Sequence, residues 1–472
     1  MDWQRLLSEK RIRKLLGGAD STRVKDDRRT EFDRDYDRSI FSTPVKRLQD
    51  KAQVFPLEPD DSIRTRLTHS LEVSSVARGI ASTAGKWMAE RGILGDGPER
   101  SLRAIEAIAS TCGLIHDLGN APFGHSGEQA IKTWFAEKAR QDETFLSFPE
   151  RADAEQLRND FLRFEGNAQT LRLVSKLQIL ADEFGLNLTC GTMSAACKYL
   201  SPSHKVDGDG SDQGRTKPGY FASEAEVIRV VREQTGTGDA RNPITFFVEA
   251  ADDAVYATVD LEDGVRKGVL HWKTIEKRLL EAAEEDDSGL IAACLTASNK
   301  QVSRGVEHMS LSGRAEDEAR TQAFRVAAIG NTVTAVVQAF KDHYEEIMAG
   351  QYTSELVGDS RAKKLIKVCK GLGIEFVYRS DETLRLEIQG RHVIHSLMDL
   401  FWEGVHTGRM DGFSFPDKIY ALSSKNYRTI CERAICKGMF PEKYCKLQLV
   451  TDYICGMTDT FACKLHRRLT NG

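Results

Sequence analysis

The sequence predicts a mainly helical, all-α protein, and three observations support this. Apolar residues recur at helical spacing through most of the 472 residues. Helix starts such as Thr43-Pro44, and helix breakers such as Gly119 and Pro122, punctuate these runs. Strand-like alternation occurs only over residues 374–378 and 384–388, which predicts one short β-hairpin.

Composition limits the classes of function. Charged residues make up 29% of the chain and the formal net charge is -4, which excludes a general nucleic-acid binder. An anionic ligand must therefore meet a local basic patch. The ten cysteines form no C-x-x-C pair and follow no secretory signal, so we expect reduced thiols in a cytoplasmic protein. Apolar runs fall short of the ~20 residues that span a bilayer, so we expect no transmembrane segment.

The first 40 residues are dense in charge, with a run from Lys25 to Arg38. One interpretation is a solvated, partly mobile arm, which is the commoner outcome for such a run. The other is an arm folded over a phosphate site. We expect the solvated arm and place its boundary at residue 40.

The stretch from Cys112 to Glu128 is the first chemically unusual feature. An apolar helical run ends in adjacent His116 and Asp117. A polar group buried without a partner costs about 1 to 3 kcal/mol, so this pair requires something that satisfies it. A divalent cation does so directly, because imidazole nitrogen and carboxylate oxygen are both suitable ligands.

Two further helical runs carry candidate partners for this pair. His69 lies on the apolar face of the run that begins at Ser62, and Arg66 lies on the same helix; a lone histidine there is more often a packed residue than a ligand. Near residue 250, Asp252 interrupts an apolar helix, and Tyr256 and Asp260 follow at i+4 and i+8. A buried aspartate bonded to nearby groups is the alternative interpretation.

Residues 201–219 form the segment least compatible with a helix and predict a long loop. Loops of this length are usually lids or disordered segments. Lys217 and the following Tyr220 are compatible with a lid that faces an anion, although a solvated loop is the more frequent case.

Together these residues give the order His…His-Asp…Asp. That order resembles the HD-domain metal-dependent phosphohydrolases, and most closely the deoxyguanosinetriphosphate triphosphohydrolase family. The resemblance is carried by five segments, namely RTRLTHSLEV at 64–73, HDLGNAPFGHSGE at 116–128, FEGNAQ at 164–169, EAADD at 249–253 and DYI with GMTD at 452–459. It extends from about residue 31 to the C-terminus.

The resemblance implies an HD-domain catalytic core at residues 41–270 and a C-terminal helical region at 271–472 packed on it. It implies that His69, His116, Asp117 and Asp252 hold one Mn²⁺ or Mg²⁺ ion, with Mn²⁺ favoured by the ligand types. His125 and Glu128 resemble the catalytic pair of the family, in which Glu128 orients the imidazole that handles a proton.

The implied reaction is hydrolysis of deoxynucleoside triphosphates, above all dGTP, at the α-phosphorus to give deoxynucleoside and inorganic triphosphate. Arg66 is then expected to contact phosphate. Tyr256 would pack against C2′ and Asp260 would accept from the 3′-OH, which together select deoxyribose. Gln53, Lys217 and Tyr220 are further expected contacts to base or phosphate.

Two positions depart from the family pattern. Asn120 stands where some animal relatives carry histidine, so it is given no role in proton transfer. Cys190 stands where the family has a tyrosine, which weakens the expectation of a base contact there.

Other functions remain open on the sequence. They are a broad-specificity dNTP triphosphohydrolase, another HD phosphohydrolase such as a cyclic-nucleotide or alarmone phosphodiesterase, and a nucleotide-sensing or single-strand nucleic-acid-binding HD protein. The complete ligand and catalytic set argues against pure binding. The resemblance also implies a homo-oligomer, often a hexamer.

Overall fold

The computed structural model describes residues 1–18, 27–178, 182–206, 210–410 and 412–470. Two parts of the predicted features lie outside these ranges, namely Lys25 and Asp26 of the charged run and residues 207–209 of the predicted loop.

The described chain is helical, which confirms the all-α prediction. Its α-helices are α1 Trp3–Leu6, α2 Ile12–Leu15, α3 Glu31–Ile40, α4 Thr43–Arg47, α5 Arg66–Glu90, α6 Pro98–Ile115, α7 Gly124–Gln141, α8 Ala154–Leu162, α9 Gly166–Arg172, α10 Cys190–Ala195, α11 Ala225–Thr235, α12 Pro243–Arg266, α13 Trp272–Glu284, α14 Leu290–Met309, α15 Arg314–Asp342, α16 Tyr344–Ala349, α17 Lys363–Leu372, α18 Asp381–Thr407, α19 Phe415–Leu422, α20 Lys425–Cys436, α21 Glu442–Cys455 and α22 Asp459–Leu469. Short 3₁₀ turns span Leu48–Asp50, Ser203–Lys205, Gln213–Arg215 and Ala222–Glu224, and π-helical turns span Leu173–Leu177 and Gly373–Val377.

The β structure differs from the prediction. Strands β1 (Ser201–Pro202) and β2 (Pro218–Tyr220) pair in parallel, within the segment predicted as a loop. The hairpin predicted over 374–388 is wrong, because that segment forms a π-helical turn followed by the start of α18. The side chain of Ser380 accepts from the backbone N–H of Thr383 and so caps α18. Ile388 is 73% exposed, so the apolar alternation did not mark a buried strand face.

Helices α5, α6 and α12 form the scaffold of the site. Helix α12 is buried along almost its whole length, and α5 and α6 pack against it and against each other. Gly113 on α6 permits this close approach, since a Cβ there would lie 2.7 Å from the Cα of Ser74 on α5. The three helices therefore bring together residues that are far apart in sequence.

Helix α15 is long and apolar enough, by length and composition alone, to cross a membrane. Half of its most apolar 18-residue window is buried within the protein. It packs against α12 and α14, as a core helix does.

Over residues 1–18 and 27–40, the N-terminal segment is packed on the protein and is not the solvated arm that its charge suggests. Trp3, Leu6 and Phe32 are buried in the core. Arg11 is also buried, and its guanidinium pairs with Asp35 Oδ1 at 2.8 Å. Some charges here pair within the segment, as Arg34 does with Glu31, and others pair with the rest of the protein, as Arg13 does with Asp182. The division of the chain at residues 40 and 270 stays a prediction.

Candidate active site

One cavity of about 620 Å³ lies where α5, α6, α7 and α12 meet the C-terminal helices. It is lined by ten of the predicted site residues, namely Gln53, Arg66, His69, His116, Asp117, His125, Glu128, Lys217, Asp252 and Tyr256. Asp260 and Tyr220, the other two, do not line it.

Three side chains converge in the cavity with ligand atoms within 4.8 Å of one another: His69, His116 and Asp252. His69 Nε2 lies 3.1 Å and His116 Nε2 lies 3.5 Å from Asp252 Oδ1. His116 Nδ1 donates to the carbonyl of Gly113 at 2.7 Å, so its Nε2 faces the cluster. Two imidazole nitrogens and a carboxylate oxygen form a donor set that fits a divalent cation.

Asp117 lies at the edge of this cluster, with Oδ1 3.5 Å from His116 Nε2. Arg66 Nη1 donates to Asp117 Oδ2 at 2.5 Å, and Asn120 Nδ2 donates to Oδ1 at 2.6 Å. These two contacts fix the plane of the carboxylate.

The electrostatics of the cluster attract positive charge. Burial alone would lower the pKa of His116, but the carboxylates of Asp117 and Asp252 raise it to about 9. Burial alone would raise the pKa of Asp252, but the charge of His116 and hydrogen bonds from both histidines hold it well below its usual range. A cation is therefore favoured between these groups.

His125 enters the cavity from the start of α7. Phe123 precedes this helix at a φ of 62°, and Gly124 follows at 61°, so two consecutive left-handed residues present the imidazole. Burial and the nearby charge of Arg66 lower the pKa of His125, whereas Glu128 raises it. The imidazole is therefore neutral near pH 7.

Glu128 forms hydrogen bonds with Lys132 and Gly166 rather than with His125, the partner that the resemblance implied. Its Oε1 accepts from Lys132 Nζ at 2.7 Å, and its Oε2 accepts from the backbone N–H of Gly166 at 3.3 Å. Across the described ranges, no hydrogen bond joins Glu128 to His125, so its effect on the imidazole is that of a nearby charge.

The predicted phosphate and base contacts are distributed around the wall. Arg66 has a buried Nε and Gln53 a buried Oε1, and neither atom has a partner within the described chain. Lys217 Nζ lies 3.6 Å from Glu165 Oε2.

Tyr220 is a correction to the sequence prediction, because it lies outside the cavity with its ring 5.6 Å from the guanidinium of Arg232. Tyr220 belongs to β2, which pairs with β1, whereas Lys217 precedes that strand and its Nζ lies 5.7 Å from the ring of Tyr199 in the cavity wall.

The predicted sugar contacts are separated by a residue that the sequence reasoning missed. Tyr256 stacks on Tyr378, with ring centroids 6.0 Å apart, and both rings line the cavity. The hydroxyl of Tyr378 donates to Asp260. Asp260 therefore lies behind Tyr378, and burial raises its pKa to about 8. The i+8 spacing correctly gave the face of α12, but it could not reveal a tyrosine that comes from 118 residues further along the chain.

Two lysines in the wall were also missed. Lys370 donates to Asp253 at 2.7 Å, and Lys198 Nζ lies 3.6 Å from Glu249. Asp253 was the feature of the sequence that indicated such a lysine, because a second acidic residue in an apolar helix requires a cationic partner. The identity of that partner depends on tertiary packing.

Comparison with known proteins agrees with the geometry. Residues 66–183 match the HD domain, and residues 356–468 match the phosphohydrolase-associated domain. A deoxyguanosinetriphosphate triphosphohydrolase-like protein of Listeria monocytogenes is 35% identical, with 99% of each chain covered. One of Synechocystis is 32% identical over the same share of each chain. The deoxyguanosinetriphosphate triphosphohydrolase of Yersinia enterocolitica is 31% identical over 93% of each.

An HD domain implies a divalent metal, and the His69, His116 and Asp252 cluster is compatible with one. The matches extend over nearly the whole chain, and they are to hydrolases. This protein therefore belongs to the deoxyguanosinetriphosphate triphosphohydrolase family of HD-domain phosphohydrolases.

Proposed function

We propose that this protein hydrolyses deoxynucleoside triphosphates, dGTP above others, at the α-phosphorus to release deoxynucleoside and inorganic triphosphate. The observation that carries the proposal is the convergence of His69, His116 and Asp252 in one cavity that also holds His125. The Yersinia relative, named for action on dGTP, supports the choice of substrate class.

The metal would be held by His69, His116, Asp117 and Asp252. We propose Mn²⁺ over Mg²⁺, because Mg²⁺ prefers oxygen ligands whereas two of these donors are imidazoles. When bound, such a cation supplies polarisation of a phosphoryl oxygen and a lower pKa for water. Arg66 and Asn120 keep the Asp117 carboxylate turned to the cluster.

The triphosphate would lie against the cationic side of the cavity. Arg66, Lys198, Lys217 and Lys370 all line it. Acidic partners hold each of them, so the charges are positioned before substrate arrives. Such preorganisation favours a polyanion without reorganisation during the reaction.

Proton transfer is assigned to His125. Water attack at the α-phosphorus breaks the bond to O5′, so water loses one proton and O5′ gains one as the 5′-hydroxyl forms. A neutral imidazole in the cavity can accept the first proton and supply the second. The lowered pKa of His125 keeps it in the neutral form that can begin this exchange.

Sugar selection is assigned to the stacked rings of Tyr256 and Tyr378. A rigid aromatic wall packed against C2′ leaves no room for a 2′-OH, which would exclude ribonucleotides. Asp260 would act on the sugar through the hydroxyl of Tyr378 rather than by direct contact.

A broad-specificity dNTP triphosphohydrolase is the second candidate. Cys190, which replaces the tyrosine expected in the family, is fully buried and does not line the cavity. Among the described residues, this position therefore contributes no side chain to the wall, which favours broad specificity.

We also keep as proposals a cytoplasmic location and a homo-oligomer, a hexamer above others. Phe413 is 92% and Phe415 is 62% exposed, which favours contact with another copy of the chain. Single-stranded nucleic acid stays an untested partner.

Product analysis tests the proposal. The purified protein is incubated with Mn²⁺ and separately with dGTP, dATP, dCTP, dTTP and GTP, and nucleoside, nucleotide and phosphate species are resolved. We expect deoxynucleoside and intact triphosphate, with GTP unchanged. Nucleoside monophosphate with pyrophosphate would refute attack that releases O5′. The order of rates among the dNTPs decides between dGTP preference and broad specificity.

A further inference from the structure

The segment 455–460, at the end of α21 and the start of α22, contacts two loops of the active site without reaching the cavity. Within the described residues, none after Glu387 lines that cavity. The segment contains the GMTD motif at residues 456–459, to which the proposed reaction assigns no role.

Asp459 makes the central contacts. It is 2% exposed, and its carboxylate accepts two backbone N–H groups, Oδ1 from Phe123 and Oδ2 from Ala52, each at 2.9 Å. Ala52 precedes Gln53, which lines the cavity, and Phe123 begins the turn that presents His125. One carboxylate thus joins both loops.

Lys51 makes a parallel connection. Its buried ammonium donates to the carbonyl of Asn120 at 2.5 Å and to the carbonyl of Cys455 at 2.7 Å. Asn120 in turn holds the carboxylate of Asp117. The loop from 117 to 125 is therefore attached to segment 455–460 at two points, through Lys51 at Asn120 and through Asp459 at Phe123.

The conformation of Phe123 requires such support. A phenylalanine at a φ of 62° persists only where its surroundings determine it. Asp459 accepts from its backbone N–H. Its ring packs closely on α18 at Gly390, where an added Cβ would lie only 2.7 Å from Phe123 Cγ. His125 is two residues further on, so its direction depends on this turn.

We propose that Asp459, assisted by Lys51, is a positioning residue that sets the direction of His125 during hydrolysis. This inference rests on the proposed function, in which His125 transfers the proton. Asp459 touches neither the cavity nor the cluster of His69, His116 and Asp252.

The test compares Asp459→Asn with Asp452→Asn, alone and combined with His125→Ala. Asp452 is a matched control, because it is also 2% exposed and near the same helix end, but it pairs with Arg172 away from the cavity. For Asp459→Asn we expect kcat to fall about tenfold with KM and Mn²⁺ affinity retained, since small misplacements of reacting groups cost this much or more. In the His125→Ala background the same substitution should change kcat by less than about twofold, because the two residues act as a unit.

A second measurement is independent of turnover. Diethyl pyrocarbonate modifies accessible neutral imidazoles, and peptide mass spectrometry reports the rate at His125. We expect this rate to change about threefold or more in Asp459→Asn and to stay at the wild-type value in Asp452→Asn. Lys51→Met should reproduce the pattern and replaces Asp459→Asn if that variant does not fold.

Three results would overturn the proposal. The first is a full tenfold loss that persists in the His125→Ala background. The second is an unchanged kcat in a folded Asp459→Asn protein. The third is an unchanged rate of modification at His125. Absence of dNTP hydrolysis by the unmodified protein would instead refute the proposed function, and the modification rates would still test the positioning of His125.

Discussion

Gly113→Ala should weaken the metal site by changing the separation of two helices. The added Cβ would lie 2.7 Å from Ser74 Cα, 2.8 Å from Ser74 N and 3.1 Å from the carbonyl carbon of Val73. All three atoms belong to the backbone of α5, so no side-chain rotation relieves the contact. Ordinary carbon contacts lie near ~3.5 Å or beyond, so α5 and α6 must separate by roughly 1 Å.

That separation acts directly on the cluster, because α5 carries His69 and α6 leads into His116. A displacement of this size is larger than the tolerance of about 0.5 Å that a ligand set allows. We therefore expect Mn²⁺ affinity, measured by titration calorimetry, to fall about tenfold or more. Overpacking should also lower the free energy of unfolding by about 1 to 3 kcal/mol, partly offset by the better helix propensity of alanine.

The matched control is Gly79→Ala on α5, where a Cβ would meet nothing within 4 Å. It should retain Mn²⁺ affinity and raise the free energy of unfolding by up to about 1 kcal/mol. Wild-type Mn²⁺ affinity in a folded Gly113→Ala protein would refute the argument that the spacing of α5 and α6 sets the site.

Three further predictions concern stability, pH and metal. Arg172 Nη2 pairs with Asp452 Oδ2 at 2.7 Å in the core, so Arg172→Leu should lower the free energy of unfolding in urea by about 3 to 5 kcal/mol, because it leaves buried carboxylates unpaired. In the pH profile of kcat/KM, activity should decline on the acid side as His125 becomes protonated, with a midpoint below the ordinary pKa of histidine. Lys217 is a cation that lowers the pKa of His125. Lys217→Met should therefore move this midpoint to higher pH. An unmoved midpoint would assign the acid limb to another group. Removal of divalent metal with a chelator should abolish turnover, and Mn²⁺ should restore it.

The sequence was informative where chemistry and local periodicity coincide. His116 and Asp117 at the end of an apolar helix, and Asp252 inside one, are residues that core packing does not explain. The structure places His116 and Asp252 in one cluster with His69. The order of these residues led to the family resemblance, which implied their roles, and the helical spacing indicated their faces.

The failures have a common physical cause. The apolar alternation at 374–388 fits a strand and a helix equally over so few residues, and only tertiary contacts decide between them. Asp260 lies on the predicted face of α12, but Tyr378 stands between it and the cavity. The first 40 residues contain enough charge for a solvated arm, yet in the described part of that segment ion pairs such as Arg11 with Asp35 offset charges that would otherwise stay in solvent. Each outcome depends on a partner that is remote in sequence.

The C-terminal region is part of the active site by the same reasoning. Lys370, Tyr378 and Glu387 line the cavity, and all three belong to the region that matches the phosphohydrolase-associated domain. Segment 455–460, which does not line the cavity, binds the backbone of the two loops that carry His125 and Gln53. Without the region that matches the phosphohydrolase-associated domain, the chain would keep His69, His116 and Asp252 but lose one wall of the cavity and the support of the turn that carries His125. A protein truncated after residue 355 should therefore lose hydrolysis even where a folded portion of it still binds Mn²⁺.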